Sequence, residues 1–411
     1  MRKLKWDPEL NATVETNPTE SRTRGSEQDD VVRIETSLVV CNVAVLDQHG
    51  HAVQGLTPAD FVVREDDKPQ QIGSFALGDN SNIPRSIVLL IDYSPSQLPY
   101  INTSIAAAKT LVDKLNPLDR MAIVTDDVEL LLDFTSDKRK LKDNLELLRK
   151  RATAKPNLLG FGGKRRFGLS AQYSAFMATL KEAFDSEDQR PIIIFQTDGD
   201  EVMFLRNPII GPFIPANLPP ERQAAALAAA ARTRQIQLEN MREFSLNDVY
   251  QATEKSRATV YTVVPGFRLV GLSPDQQLTQ LKTASEQRRS AWSVFGGKSA
   301  EQMRKIEAER WSSLPPEQLK YEVETAVKIQ TALADVAPLT GGWTSYLEQP
   351  TQADEIYSRI FSDISRRYVI GYYPTNKAHD GKRRKVNVEV RGHPDYTVLG
   401  RKSYFAPDRE Q

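Results

Sequence analysis

The sequence predicts an α/β fold: a doubly wound, mostly parallel sheet inserted in a small β-sandwich that the flanking segments build. Three observations lead there. Between about residues 84 and 366, short aliphatic runs alternate with stretches of helical spacing, the pattern of a parallel sheet with helices on both faces. Residues 31–83 and 367–411 hold strand-like pieces only. A chain of 411 residues also exceeds what one ordinary core organises, so more than one unit is expected.

In order along the chain, residues 1–30 are polar and charged and read as a disordered arm. "VVRIETSLVVCNVAVLD" then alternates apolar and polar positions, and "DFVVRED" and "QQIGSFAL" continue as short strands. "SIVLLID" is a buried strand followed by the helix "INTSIAAAKTLVDKLN". "RMAIVTDD" and "VELLLDF" suggest a hairpin, and "DKRKLKDNLELLRKR" and "SAQYSAFMATLKEAF" two helices. "RPIIIFQTDGD" and "ATVYTVVPG" are strands, as is "WTSYLE" after the helix "YEVETAVKIQTALADVA". The last helix is "ADEIYSRIFSDISRR", after which "RYVIGYYP", "RKVNVEV" and "YTVLGRKSYF" return to strand. Two inserts interrupt the alternation, near 202–245 and 267–318, the second charged and helical. Each flank offers too few strands to bury both faces of a sheet alone, so the two together are expected to form one discontinuous sandwich.

Composition excludes several classes. Lys plus Arg and Asp plus Glu each number 54, so no global field directs the chain to nucleic acid or an anionic membrane. The longest aliphatic runs, "IVLLI" and "PIIIF", fall far short of the roughly 18 residues of a membrane span. Cys41 is the only cysteine, which excludes intrachain disulfides and cysteine-based zinc sites. In a strand-like stretch, it reads as a small core residue. None of the four histidines has metal-binding helical spacing. The first residues are basic but lack the apolar core of a secretory leader. A leader removed upstream would leave the same picture.

The chemistry is concentrated at strand ends. "SIVLLID" finishes at Asp92, with hydroxyls at alternate positions, Ser94 and Ser96, and "FQTDGD" finishes at Asp198. Ligand sites of open parallel sheets lie beyond the carboxyl ends of the strands, which would bring the two acids together. Two carboxylates with nearby hydroxyls make a hard-oxygen cluster suited to a small divalent cation such as Mg2+. The competing account has Ser94 or Ser96 capping the next helix while Asp92 bonds local amides. It explains neither the triple spacing nor the second acid.

At these residues the chain resembles the von Willebrand factor type A (VWFA) family. "DYSPS" matches the Asp-x-Ser-x-Ser of that family's metal-ion-dependent adhesion site, and "TDGD" its later acidic loop. The resemblance implies a Rossmann-like fold in which Ser94 and Ser96 bind the metal directly, and Asp92 and Asp198 directly or through water. The family's remaining ligand is usually a Thr in a Gly-Thr-x-Leu-Tyr-like segment. "GLSAQYSAF" places Ser170 at the Thr position and Tyr173 at the Tyr position. Ser170 equally suits a helix N-cap. The ends, "VVCNVAVLDQHGHAVQGLTPADFVVREDDKPQQIGSF", "LTGG", "RRYVIGYYP" and "RKSYFAP", resemble a bacterial, mainly acidobacterial, group of VWFA-related proteins. Exported location is what that resemblance favours.

Weaker signals have plainer accounts. "LLGFGGKRRFG" and "GGKS" each miss the phosphate-loop spacing and read as surface loops. Lys164, Arg165 and Arg166 would still attract an acidic partner. The Ala-rich "QAAALAAAARTRQIQLENM" reads as an ordinary packed helix. The insert after Glu201, with five prolines and Phe204, Ile209, Ile210, Phe213 and Ile214, is expected to border the metal site.

The expected function is a non-enzymatic, metal-ion-dependent protein-binding or adhesion module. Mg2+ or Mn2+ would be held by Asp92, Ser94, Ser96, Ser170 and Asp198, with an open position for a partner's Asp or Glu carboxylate. Two other readings compete. One is a metal-dependent phosphohydrolase-like enzyme using Asp92, which lacks the second acid two residues on, that position being Ser94. The other is a scaffold with an empty metal site.

Overall fold

The computed structural model describes residues 6–7, 12–13, 38–77, 84–153, 171–185, 190–201, 219–240, 244–291, 293 and 298–408. Of the expected N-terminal arm it describes only β1 (Trp6–Asp7) and β2 (Ala12–Thr13), which pair antiparallel; the rest lies outside the described residues. The strands that follow are β3 (Val39–Leu46), β4 (Phe61–Glu65), β5 (Lys68–Gln70) and β6 (Ile72–Leu77). The alternating segment then supplies β7 (Ser86–Ile91), α1 (Ile101–Asp113), β8 (Arg120–Thr125), β9 (Leu130–Thr135) and α2 (Lys138–Thr153). It continues through α3 (Gln172–Glu182), β10 (Pro191–Gln196), α4 (Pro220–Asn240), α5 (Leu246–Lys255) and β11 (Thr259–Pro265). After α6 (Pro274–Ala291), α7 (Ala300–Ser313) and α8 (Pro316–Val336) come β12 (Thr344–Leu347) and α9 (Ala353–Arg366). The chain closes with β13 (Tyr368–Tyr372), β14 (Arg383–Val390), β15 (Thr397–Leu399) and β16 (Ser403–Phe405).

The six-stranded sheet has the order β12-β11-β10-β7-β8-β9, parallel except for the β8–β9 hairpin. Every residue of β7 and β10 is buried, which is why both read as unbroken aliphatic runs. Alternate residues serve opposite faces. Ile87, Leu89 and Ile91 join a core with Ile105 and Leu111 of α1, Leu145 of α2 and Tyr357 and Ile360 of α9. Val88 and Leu90 join the other core, with Phe176 of α3, Val249 of α5 and Leu333 of α8. From β7 the chain first builds outward through β8 and β9; later it builds the other way through β10, β11 and β12. The order therefore reverses between β7 and β10, and the crevice at that switch point is where an open α/β sheet binds ligands.

The flanks form two four-stranded antiparallel sheets, β15-β3-β13-β6 and β16-β14-β4-β5. β13 lies between β3 and β6, and β14 between β4 and β16, so neither flank completes a sheet alone. β14 alternates exposed and buried residues along its length, and Val386, Val388 and Val390 meet Cys41, Val43, Phe61, Val63, Tyr368, Ile370 and Tyr372 in one core. Glu65 is buried there and accepts from the hydroxyls of Tyr372 and Tyr404, each at 2.8 Å. The sandwich meets the α/β sheet at the strands' amino ends. Buried Arg367 donates to Asp363 Oδ2 (2.7 Å), Gly341 O (2.6 Å) and Asn42 O (3.2 Å), and Arg401 donates to the carbonyls of Glu254 and Ser256.

The Ala-rich stretch is helical, as α4, and none of its described side chains is buried, Leu227 being 60% exposed. Ser299 of "GGKS" is exposed, as a surface loop requires, and is also the N-cap of α7, accepting from Gln302 N–H. "LLGFGGKRRFG" and the apolar loop at 202–218 lie outside the described residues.

Because each sheet of the sandwich takes strands from both flanks, residues 84–366 should fold alone and residues 1–83 should not. A cooperative thermal transition from a 1–83 fragment would contradict the shared sandwich. A second outcome concerns Cys41, whose thiol burial pushes up to about 12. The thiolate is the reactive form, so a thiol reagent at pH 8 should label the native chain at a small fraction of the rate seen in denaturant. Equal rates would place Cys41 outside the core.

Candidate metal centre

Asp92 is the first residue past β7, and its N–H donates to Gln196 O at 2.9 Å, extending the β7–β10 ladder to the switch point. Its side chain turns into the crevice and is only 1% exposed. Ser94 N–H donates to Asp92 Oδ1 (2.8 Å), and the hydroxyls of Ser94 and Ser96 are 2.9 Å apart. The short 3-10 turn Pro95–Gln97 produces this return. Neither serine caps α1: the N-cap is Tyr100, which makes no side-chain cap bond. The local amide bond to Asp92 is present, so that part of the competing account holds.

The second loop follows β10. Thr197 N–H continues the β10–β11 ladder to Val263 O (3.1 Å), and its hydroxyl lies between Asp92 Oδ2 (3.0 Å) and Gln172 Oε1. Gly199 N–H donates back to Thr197 Oγ1 (3.0 Å). Gly199 has φ +73°, and a Cβ there would sit 3.1 Å from Leu333, so the turn needs glycine on both counts. Asp200 N–H donates to Asp198 Oδ1 (2.9 Å), which fixes that carboxylate on its own loop. Glu201 accepts from Tyr173 N–H (2.8 Å), anchoring the start of α3.

A third acid completes the crevice. Ile91 pairs with Thr125 in the β7–β8 register, so Asp126 emerges level with Asp92. Asp126 is buried and accepts from Tyr93 N–H at 3.1 Å. Burial first, then Asp126, then Asp198, push the Asp92 carboxyl well above the usual carboxylate range. Like charges confined in a low-dielectric crevice resist ionising together. A cation among them would reverse that balance.

The structure thus brings Asp92, Ser94 and Ser96 together, with Asp198 near enough to act on Asp92 electrostatically. Asp92 is buried in the crevice rather than held out on a loop tip. Ser170 lies outside the described residues; Ala171, after it, is the N-cap of α3. Tyr173 is fully buried against Phe195, a core position. Among the described residues, no three or more His, Cys, Asp or Glu side chains are grouped to hold a metal. The available donors are carboxylates and hydroxyls. That set fits a hard, oxygen-seeking divalent cation and suits soft metals poorly. Sequence reasoning missed Asp126, Thr197 and Gln172. The "TDD" that ends a predicted strand was the available signal for the first, and the Thr of "TDGD" for the second.

In sequence, no family profile and no curated protein matches the chain. Structure comparison finds similarity to a von Willebrand factor type A protein from Catenulispora acidiphila, 10% identical, covering 93% of this chain and 77% of that one, TM-score 0.32. It also finds the vWF domain of the type V pili tip protein Mfa5 from Porphyromonas gingivalis, 13% identical, covering 69% and 97%, TM-score 0.30. A third is the manganese-loaded TRAP protein of Plasmodium vivax, 14% identical, covering 85% and 100%, TM-score 0.28.

Gln97 raises a separate point. It is 1% exposed, and neither polar atom of its amide finds a partner among the described residues. An unsatisfied buried polar group costs about 1–3 kcal/mol, whereas an apolar side chain of similar shape avoids the penalty. Gln97→Met should therefore unfold at an equal or higher temperature than the parent in chelator. A clear fall would show that the amide has a role in the folded loop.

Proposed function

We propose that the chain is a non-enzymatic, metal-ion-dependent protein-binding module. The observation that carries this reading is the buried Asp92 carboxyl, set between Asp126 and Asp198 at the switch point with the paired hydroxyls of Ser94 and Ser96 beside it. Asp92, Ser94, Ser96 and Asp198 would hold Mg2+ or Mn2+, and Ser170 is proposed to join them. The bound cation would supply positive charge for a carboxylate of a partner's Asp or Glu. Thr197 and the Ser94 amide orient Asp92, while the Asp200 amide orients Asp198. These bonds preorganise the donors and lower the cost of assembling them.

The residues favour binding over turnover. The position two after Asp92, where a phosphohydrolase of the Asp-nucleophile kind keeps an acid, is Ser94. All four histidines belong to the flanking segments, so the crevice has no imidazole base from the alternating segment. Among the described residues no helix is long and apolar enough to cross a membrane. An exported location is part of the proposal and rests on the family resemblance.

Calorimetry tests the site. Asp92→Asn keeps the shape and an acceptor for Thr197 or Ser94 while removing the charge. It should weaken Mg2+ binding by more than about 100-fold, and Asp198→Asn should weaken it by at least about tenfold. Parent-like affinity in Asp92→Asn would show that the cation sits elsewhere. Mg2+-dependent phosphatase turnover that Asp92→Asn abolishes would instead favour the enzyme.

A further inference from the structure

Of the inserted helices α6 and α7, α6 reaches both loops of the candidate centre. At the exit of the Asp-x-Ser-x-Ser loop, the Tyr100 hydroxyl donates to Gln287 Oε1 at 3.2 Å. The next residue, Arg288, places Nη1 3.8 Å from Asp200 Oδ2 in the second loop. Asp200 in turn donates its N–H to Asp198, so a restraint on Asp200 reaches a proposed ligand through one bond. Tyr100 is seated on the end of β11, where a Cβ on Gly266 would lie 3.0 Å from its ring.

The pair is itself firmly held. Leu281 of α6, Trp311 of α7 and the following Leu314 are buried together against Leu278 and Val323. Glu307 of α7 accepts from Ser285 of α6 (2.6 Å) and from Arg310 (2.8 Å). Below it, Gln330 of α8 accepts from Leu269 N–H (2.8 Å) and donates to Phe267 O (2.7 Å), fixing the chain as it leaves β11. Arg288 lies over the Phe267 ring at 5.8 Å. Two adjacent residues on a supported helix thus engage one loop each.

We propose that this helix pair braces the metal centre, with Gln287 and Arg288 as positioning residues that hold the two ligand-bearing loops in register. The proposal rests on the reading of the crevice as a cation site. Neither residue bonds the proposed donors, so each acts through Tyr100 or Asp200. Coupling between sites is reciprocal. Loading the centre therefore steadies α6, and loosening α6 weakens the centre.

The sign of one substitution separates this from simple electrostatics. Removing a nearby positive charge would by Coulomb attraction alone tighten Mg2+ binding. The brace requires Arg288→Ala in the full chain to weaken it, by about three- to tenfold. Hydrogen exchange over residues 282–291 of α6 should slow with Mg2+ relative to chelator in the parent, and show no Mg2+ response in Asp92→Asn. Should Arg288→Ala fail to fold, Tyr100→Phe removes only a hydroxyl and should weaken Mg2+ about two- to fivefold. Equal or tighter Mg2+ binding in the folded variant would overturn the brace. So would exchange in α6 that ignores Mg2+ in a parent that binds it. A parent that does not bind Mg2+ would overturn the cation site itself, and the brace with it.

Discussion

The structure turns on one buried carboxyl, that of Asp92, 1% exposed at the switch point, with Asp126 and Asp198 near enough to act on it electrostatically. Taking a carboxylate out of water costs on the order of several kcal/mol even after the protein relaxes. Hydrogen bonds to a charged group return about 1.5–3 kcal/mol each; Asp92 accepts from Ser94 N–H and faces the Thr197 hydroxyl, which also lies against Gln172 Oε1. Burial and the two neighbouring acids push its carboxyl well above the usual carboxylate range, and a cation in the crevice would oppose that shift.

That burial is a consequence of the sheet. β7 is central and covered on both faces, so whatever follows it enters the crevice with no exposed turn in which to escape. The neighbouring strands end level with it, which brings the loops after β8 and β10 to either side of Asp92. The other end of the sheet is occupied differently. Arg85 forms a buried pair with Asp119 (2.8 Å through Nε), Arg190 donates to Ile364 O (2.6 Å), and Arg367 reaches into the sandwich. Among the described residues the sandwich is attached at the amino ends of the strands, and the candidate centre lies at the carboxyl ends.

Much of this was legible from residues. The aliphatic runs of β7 and β10 identified both-face burial, and their terminal acids identified the ligand end, because strand period and strand termination are local properties. The sandwich was legible because each flank alternates apolar and polar residues but has too few strands alone. Asp126 was not, since its place beside Asp92 depends on the Ile91–Thr125 register, and register is set between strands rather than within one. Gln287 and Arg288 gave no signal either. In a charged helix one glutamine and one arginine look like any others, and only the path of the chain after β11 brings them to the two loops. The Ala-rich α4 was legible as a helix and no further: alanine favours helix wherever the helix lies, so propensity fixed its form and left its exposure open.

The contacts of α6 with both loops also limit how the crevice can change shape. Tyr100 and Asp200 lie on separate loops, which the described residues already join next to the sheet through the Thr197 hydroxyl and Asp92 Oδ2; the contacts of α6 add a second link farther out. Joining both to neighbouring residues of one helix makes their adjustments dependent on each other. A site whose donors come from two separate strand ends gains most from such a restraint, because the cost of bringing donors together is met during folding rather than on binding. The insert thus complements the other hydrogen bonds: the loop amides orient single carboxylates, Thr197 ties the two loops together beside the sheet, and the helix restrains the same loops farther from it.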